Sequence, residues 1–242
     1  MDNNLADKKY WDSGYKNINF SAMPNNYPTV KEIYKNFSKT EDKEIFEIGC
    51  FPGRFLYHFG KLGYILNGVD QTDYLEKMVA WFKINNFKIG TFVKDDIFNI
   101  KTDKKYDIVF SSGFIEHFKN FEDVIRIQTK LVKTDGYIFI TAPNFSGTVQ
   151  KFLHTQLDKE NIDRHNLKAM DVKKWEDVLK QEKFDIIESG YFGGYDFWVD
   201  KEKRGFIKNI LAKILTHIPP LRFVPNNRSY SPEIILVAKK IK

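Results

Sequence analysis

The chemistry in this chain is carried by small and charged residues at a handful of places. Glu47-Ile48-Gly49-Cys50-Phe51-Pro52-Gly53 joins a carboxylate to a glycine-spaced turn. Glycine lets a backbone bend sharply and approach a ligand closely. A helix starting there would turn free N–H groups and a partial positive charge toward a carboxylate or phosphate, although an ordinary strand-to-helix turn has the same look. Asp70 lies about 20 residues beyond Gly49, the separation at which nucleotide-binding sheets place a ribose-binding acid. A carboxylate only accepts, so it suits both hydroxyls of a diol; it also suits a helix N-cap, with Thr72 and Asp73 as competitors. Lys94-Asp95-Asp96-Ile97 is a third acidic turn. Ser111-Ser112-Gly113-Phe114-Ile115-Glu116-His117 is the fourth segment. His117 can take a proton from a hydroxyl near neutral pH, or make a structural hydrogen bond. Asn144, after Thr141-Ala142-Pro143, can hold an acceptor group or stabilise a turn.

Those residues need elements to position them. Ile45 to Ile48, Tyr64 to Val69, Ile89 to Val93, Tyr106 to Phe110 and Tyr137 to Thr141 read as buried strands. Between them, Gly53 to Lys61, Tyr74 to Asn85 and Phe121 to Val132 read as helices. Alternation at this pace predicts a parallel sheet covered on both faces, whose ligands sit at the carboxyl ends of the strands. Each segment above follows the end of such a strand. Later, Asp171 to Gln181 reads as a helix, and Phe184 to Ser189 and Glu233 to Ala238 as strands. The expected fold is a Rossmann-like three-layer α/β/α sandwich. Its sheet has seven mostly parallel strands, the last antiparallel. Residues 1–242 form one domain, with acceptor-cap insertions at about 145–170 and 191–231.

The glycine turn resembles the first motif of class I S-adenosylmethionine-dependent methyltransferases, and the Glu116-His117 segment resembles the fourth motif of ubiquinone-biosynthesis-like small-molecule O-methyltransferases. The likeness covers roughly residues 43–145, and Trp11 to Tyr15 resembles the aromatic segment that covers the cofactor in related enzymes. It implies S-adenosyl-L-methionine as cofactor and S-adenosyl-L-homocysteine as product. It implies cofactor contacts at Glu47, Gly49, Cys50, Gly53, Asp70, Gln71, Asp96, Ile97, Ser111 and Ser112, with Asp95 competing with Asp96 for the adenine amino group. His117 becomes the candidate general base. One departure stands out: Phe51 replaces the usual middle glycine. Its position before proline favours extended backbone, and its ring has to point away from the ligand.

A dehydrogenase fingerprint, Gly-x-Gly-x-x-Gly, fails at both Phe51 and Arg54. The acids Glu47, Asp70, Asp96 and Glu116 would favour a sulfonium over a pyrophosphate. Ser111-Ser112-Gly113-Phe114 lacks the prolines of exocyclic-amine methyltransferases, and Cys50 is misplaced for cytosine C5 chemistry. No RNA-binding module is appended. Methyl transfer to a hydroxyl of a small molecule, sugar or lipid-linked glycan is expected, with RNA methylation or non-catalytic cofactor binding as alternatives. His165 and Tyr195, from the two insertions, join Asn144 as candidate acceptor contacts.

Composition sets outer bounds. The chain has 242 residues, is 42% hydrophobic and carries a formal charge of +6, with lysines scattered among acids. Its single cysteine, Cys50, excludes an internal disulfide framework, and no metal site is expected. The polar start at Met1-Asp2-Asn3-Asn4 lacks the apolar core of a signal peptide, so a cytoplasmic location is expected. In 204–218, Phe206, Ile207, Ile210, Leu211, Ile214, Leu215 and Ile218 recur at helical spacing beside Lys208 and Lys213. Such a helix docks on its own domain, on a second copy, or on the inner face of an anionic membrane.

Overall fold

Side-chain alternation along the strands decides which helix covers which face. The computed structural model describes residues 4–6, 8–200 and 204–242; Met1-Asp2-Asn3 and positions 201–203 of the second insertion lie outside them. In β1 (Glu44–Ile48), Phe46 and Ile48 enter one core cluster and Ile45 the other. In β4 (Tyr106–Ser112), Val109 opposes Ile108 and Phe110 in the same way. β5 (Val132–Pro143) sends Ile138 and Ile140 to the first cluster and Phe139 to the second. This period of two is what a pleated strand imposes. The first cluster is closed by α5 (Phe121–Lys130) and α8 (Val172–Gln181). The second is closed by α2 (Pro28–Asn36), α3 (Leu56–Lys61) and α4 (Leu75–Ile84).

Among the described residues, seven strands form one sheet in the order β3-β2-β1-β4-β5-β7-β6. Here β2 is Ile65–Asp70, β3 Ile89–Lys94, β6 Phe184–Phe192 and β7 Glu233–Lys240. β7 runs antiparallel to both β5 and β6, and the other pairings are parallel. The strand order reverses between β1 and β4, and a doubly wound sheet opens its ligand crevice at that reversal.

Several boundaries differ from the sequence expectation. Gly53 has φ +80, outside the helical region, so α3 begins three residues later, at Leu56. β5 starts at Val132, because its first residue pairs with Tyr106 ahead of a register shift. The 145–170 insertion folds as α6 (Thr148–Leu157), α7 (Lys159–Asp163) and a short 3-10 turn at Leu167–Ala169. The second insertion contains α9 (Phe206–Thr216), and α1 (Lys8–Tyr15) lies near the amino end.

Trp175 anchors the α8 layer. It is fully buried, and its Nε1 donates to the Ala169 carbonyl at 2.6 Å. Trp175→Ala is expected to lower the unfolding free energy by about 3–5 kcal/mol, read as a lower urea midpoint with an unchanged m-value.

Candidate active site

Ile48 at the end of β1 lies opposite Val69 of β2 and Ser111 of β4. Three loops therefore leave the sheet at one level, and they open onto a cavity of about 450 Å³, within the range of small-molecule sites. Gly49, Asp70, Gln71, Ile97, Ser112, His117 and His165 all line it. So do Trp11 and Tyr15 of α1, which roof it.

At the glycine end, Gly49 has φ +69, and a Cβ there would meet the Phe114 ring at 2.6 Å. Only glycine lets the loop pass that close. Asp70 is held by backbone donors: Phe51 N reaches Oδ2 at 3.0 Å and Thr72 N reaches Oδ1 at 2.9 Å. Burial raises its pKa against those bonds. Each oxygen keeps accepting capacity for a diol. The Phe51 ring is buried between Tyr15, at 4.6 Å, and Phe20, at 5.7 Å. It forms wall beneath the roof and leaves the cavity open.

Other expected contacts lie elsewhere. Asp95 lines the cavity and Asp96 does not. Asp96 stands behind the lining, accepting from Nε2 of the lining residue Gln71 at 2.9 Å and from Phe98 N at 3.1 Å as the cap of the turn Ile97–Asn99. Ser111 is fully buried and donates to Gln128 Oε1, whereas Ser112 reaches the cavity. Cys50 packs its sulfur against Gly68, and Gly53 faces Phe82 and Met78 of α4; neither lines the site. Glu47 is also absent from the lining; it is buried, with Oε2 lacking a partner among the described residues. Burial and the nearby Asp70 push its carboxyl well above the ordinary range.

Two expected acceptor contacts are displaced. Asn144 is fully buried, and its amide donates to the Arg228 and Ser231 carbonyls while its oxygen accepts from Ser146 Oγ and Gly147 N. It fastens a turn and has no group left for an acceptor. Tyr195 pairs with the Leu221 backbone outside the cavity. His165 does face the cavity, its ring 4.5 Å from that of His117.

The two histidines are oriented alike. His117 Nδ1 lies 3.0 Å from the Arg164 carbonyl, and His165 Nδ1 lies 2.7 Å from the Asn161 carbonyl. A carbonyl only accepts, so each Nδ1 carries the proton and each Nε2 keeps its lone pair. Burial, with the neighbouring His165, lowers His117 to about 3; burial lowers His165 to about 4. Both rings are neutral at physiological pH.

Glu116, one of the acids expected to favour a sulfonium, lines the cavity, and three further acids that line it were not singled out from the sequence: Asp12, Asp200 and Glu233. Asp12 sits inside the aromatic segment Trp11 to Tyr15, whereas Asp200 and Glu233 arrive from remote chain segments and carried no signal. α1 closes the roof through polar ties. Thr72 Oγ1 donates to Asp12 at 3.0 Å, Lys8 bridges Asp12 and Asp73, and Tyr10 donates to Asp200 at 2.6 Å. Trp11 meets the His117 ring edge-on at 5.1 Å.

Burial pushes Glu233 up from 4.5 to about 7, against the hydrogen bond from Tyr27. The folded state thus binds this proton more tightly than the unfolded chain does. Its contribution to stability is full below about pH 4.5 and is lost as the pH rises through about 7. Glu233→Gln is expected to melt higher than the parent at pH 8 and nearly equally at pH 4.5, by calorimetry.

The comparisons with known proteins agree with this geometry. Residues 25–189 match the family model described as a methyltransferase domain. The chain is 25% identical over 116 residues to the ubiquinone biosynthesis O-methyltransferase of Rickettsia bellii, covering 48% of each chain. It is 23% identical over 135 residues to the (S)-coclaurine N-methyltransferase of Papaver somniferum, covering 53% of this chain and 38% of that one. The matches therefore span about half or less of those relatives' length, and they include both oxygen and nitrogen acceptors. A crystal structure of a SAM-dependent methyltransferase from Archaeoglobus fulgidus superposes with a TM-score of 0.57 at 19% identity, over 88% of this chain and 91% of that one. The chain belongs to the methyltransferase-domain family and has the class I, Rossmann-like fold.

Proposed function

We propose that this protein transfers the methyl group of S-adenosyl-L-methionine to a hydroxyl of a small or lipid-linked acceptor. The observation that carries the reading is that one cavity joins a glycine-and-aspartate end to the open Nε2 of a neutral His117. The cofactor supplies a methyl group already activated on a cationic sulfur. The residues present fit it. Asp70 takes the ribose diol, Ile97 packs beside the adenine, and Asp95 is the acid placed to accept from its amino group. Gly49, Ser112 and Gly113 cradle the methionine portion. Asp12, Asp70, Asp95 and Asp200 outnumber Lys8 and Arg54 on the lining, a balance that favours a sulfonium.

The protein's task is alignment. Holding the acceptor oxygen in line with the methyl carbon lowers a barrier by about 7–11 kcal/mol in favourable cases. His117 meets the hydroxyl and His165 stands beside it. Phe145 and Trp198, with ring centroids 5.4 Å apart, are the aromatic wall on the acceptor side, and α1 excludes water from above.

α9 favours a lipid-associated acceptor. The helix touches α6 of its own domain, and Ala212 is its one buried residue among those described, so most of its apolar stripe is left outward. Phe206 and Ile207 are 80% and 72% exposed, with Lys208 and Lys213 also exposed alongside. An apolar stripe with adjacent lysines matches an anionic bilayer surface. No helix among the described residues is long and apolar enough to cross a membrane, so the association is peripheral.

His117→Ala is expected to lower turnover by about 10²–10⁴-fold while adenosylhomocysteine affinity stays within a few-fold by calorimetry; undiminished turnover removes His117 from the reaction. Asp70→Ala has the reverse signature, weakening adenosylhomocysteine first. The protein is expected to sediment with phosphatidylglycerol vesicles at low salt and to be released by Phe206→Ser with Ile207→Ser. An unbound parent protein removes the membrane reading.

A further inference from the structure

We propose that Glu116, His117 and His165 hold a divalent first-row transition-metal ion at the acceptor end of the cavity. The inference rests on the hydroxyl-methylation reading and changes how the hydroxyl is activated. No metal site is expected from the sequence, whose single cysteine does not support a cysteine-built site.

Three observations meet at this point. First, one donor atom from each residue lies within 4.8 Å of the other two. A modest contraction brings all three to the roughly 2.0–2.2 Å at which nitrogen and carboxylate oxygen bind such an ion. Second, both imidazoles are already set as ligands. Each Nδ1–H is tied to a backbone carbonyl, of Arg164 at 3.0 Å and of Asn161 at 2.7 Å. Each Nε2 lone pair is thereby left open, and this is the outer-shell arrangement that orients metal-binding histidines.

Third, Glu116 is fully buried, and neither of its oxygens has a hydrogen-bond partner among the described residues. A buried polar group without a partner is costly, and a buried charge more so. Protonation removes the charge but leaves both oxygens unsatisfied. The carboxyl lines the cavity, and Oε1 lies 3.6 Å from where a Cβ on Gly113 would stand. An ion between it and the two imidazoles satisfies it outright.

The donor set selects the ion. Two imidazoles and one carboxylate suit zinc, cobalt, iron or manganese, whereas magnesium and calcium favour oxygen ligands throughout. Three protein ligands leave positions open toward the cavity. An acceptor hydroxyl bound there loses its proton to water more readily, because the ion stabilises the oxyanion. That oxygen then forms its bond to the methyl carbon as the carbon–sulfur bond breaks, and the pair stays on sulfur. His117 acts through the ion instead of taking the proton itself.

The test uses the full chain, stripped with EDTA and dialysed against Co²⁺. The expected result is one Co²⁺ per chain, with the visible bands of a nitrogen-ligated ion. Glu116→Gln and His165→Gln should each weaken binding at least about tenfold. Adenosylhomocysteine calorimetry on the same variants reports their fold, and unchanged affinity there with weakened Co²⁺ assigns the loss to a missing ligand. If Glu116→Gln does not fold, His165→Gln decides alone. A parent protein that takes up no stoichiometric Co²⁺, or variants that hold it as tightly as the parent, overturns the site. Adenosylhomocysteine binding without Co²⁺ binding leaves the methyl-transfer reading standing. The converse removes methyl transfer and keeps the ion.

Discussion

Ile48 lies opposite Val69 on one side and Ser111 on the other, so three parallel strands end at one height. That register is the constraint from which the site follows. A one-residue slip in a strand would turn its side chains to the opposite face, exchanging members of the two core clusters and moving a loop out of reach of the cavity. Buried apolar residues on both faces of β1 and β4 hold the register. The hydrophobic effect, acting on the sheet, thereby sets the position of polar groups such as Asp70 and Ser112.

The second organising feature is the treatment of buried charge. Asp158 is fully buried, yet it accepts from His154 Nδ1 at 2.9 Å, Asn161 Nδ2 at 2.8 Å, the Asp200 amide at 2.9 Å and Arg204 at 2.9 Å. Those bonds join the two insertions into one cap, since Asp158 belongs to the first and Asp200 and Arg204 come from beyond β6. A satisfied buried carboxylate of this kind acts as a structural tie. Glu116, equally buried, has no partner for either oxygen among the described residues and stands in contrast. The difference between them separates a carboxylate that holds the cap together from one proposed to hold an ion.

Much of this was legible in the chain itself. Apolar runs of four to six residues separated by helical stretches dictated an alternating fold, and glycine-spaced or acidic turns after those runs dictated where a ligand could lie. Gly49, Asp70, Gln71, Ile97, Ser112, His117 and His165 line the cavity, because each follows a strand end or sits in the cap. The exchanges are local. Asp95 takes the place expected of Asp96, and Ser112 reaches the cavity where Ser111 does not. Neighbours in an extended segment point to opposite sides, and strand ends are the least certain boundaries to read.

Periodicity and spacing thus determined the layers, the strand ends and the family resemblance, since these depend on contacts between residues near in sequence or on side-chain period alone. Tertiary structure decided which side chains were already spent. Asn144 is consumed by its own turn, and a backbone bridge to Leu221 holds Tyr195 outside the cavity lining. It also decided that β7 delivers Glu233 to the cavity, that His165 meets His117, and that the apolar stripe of α9 faces outward. Each of these outcomes depends on hydrogen bonds and packing between segments remote in the chain, and no local pattern of residues encodes them.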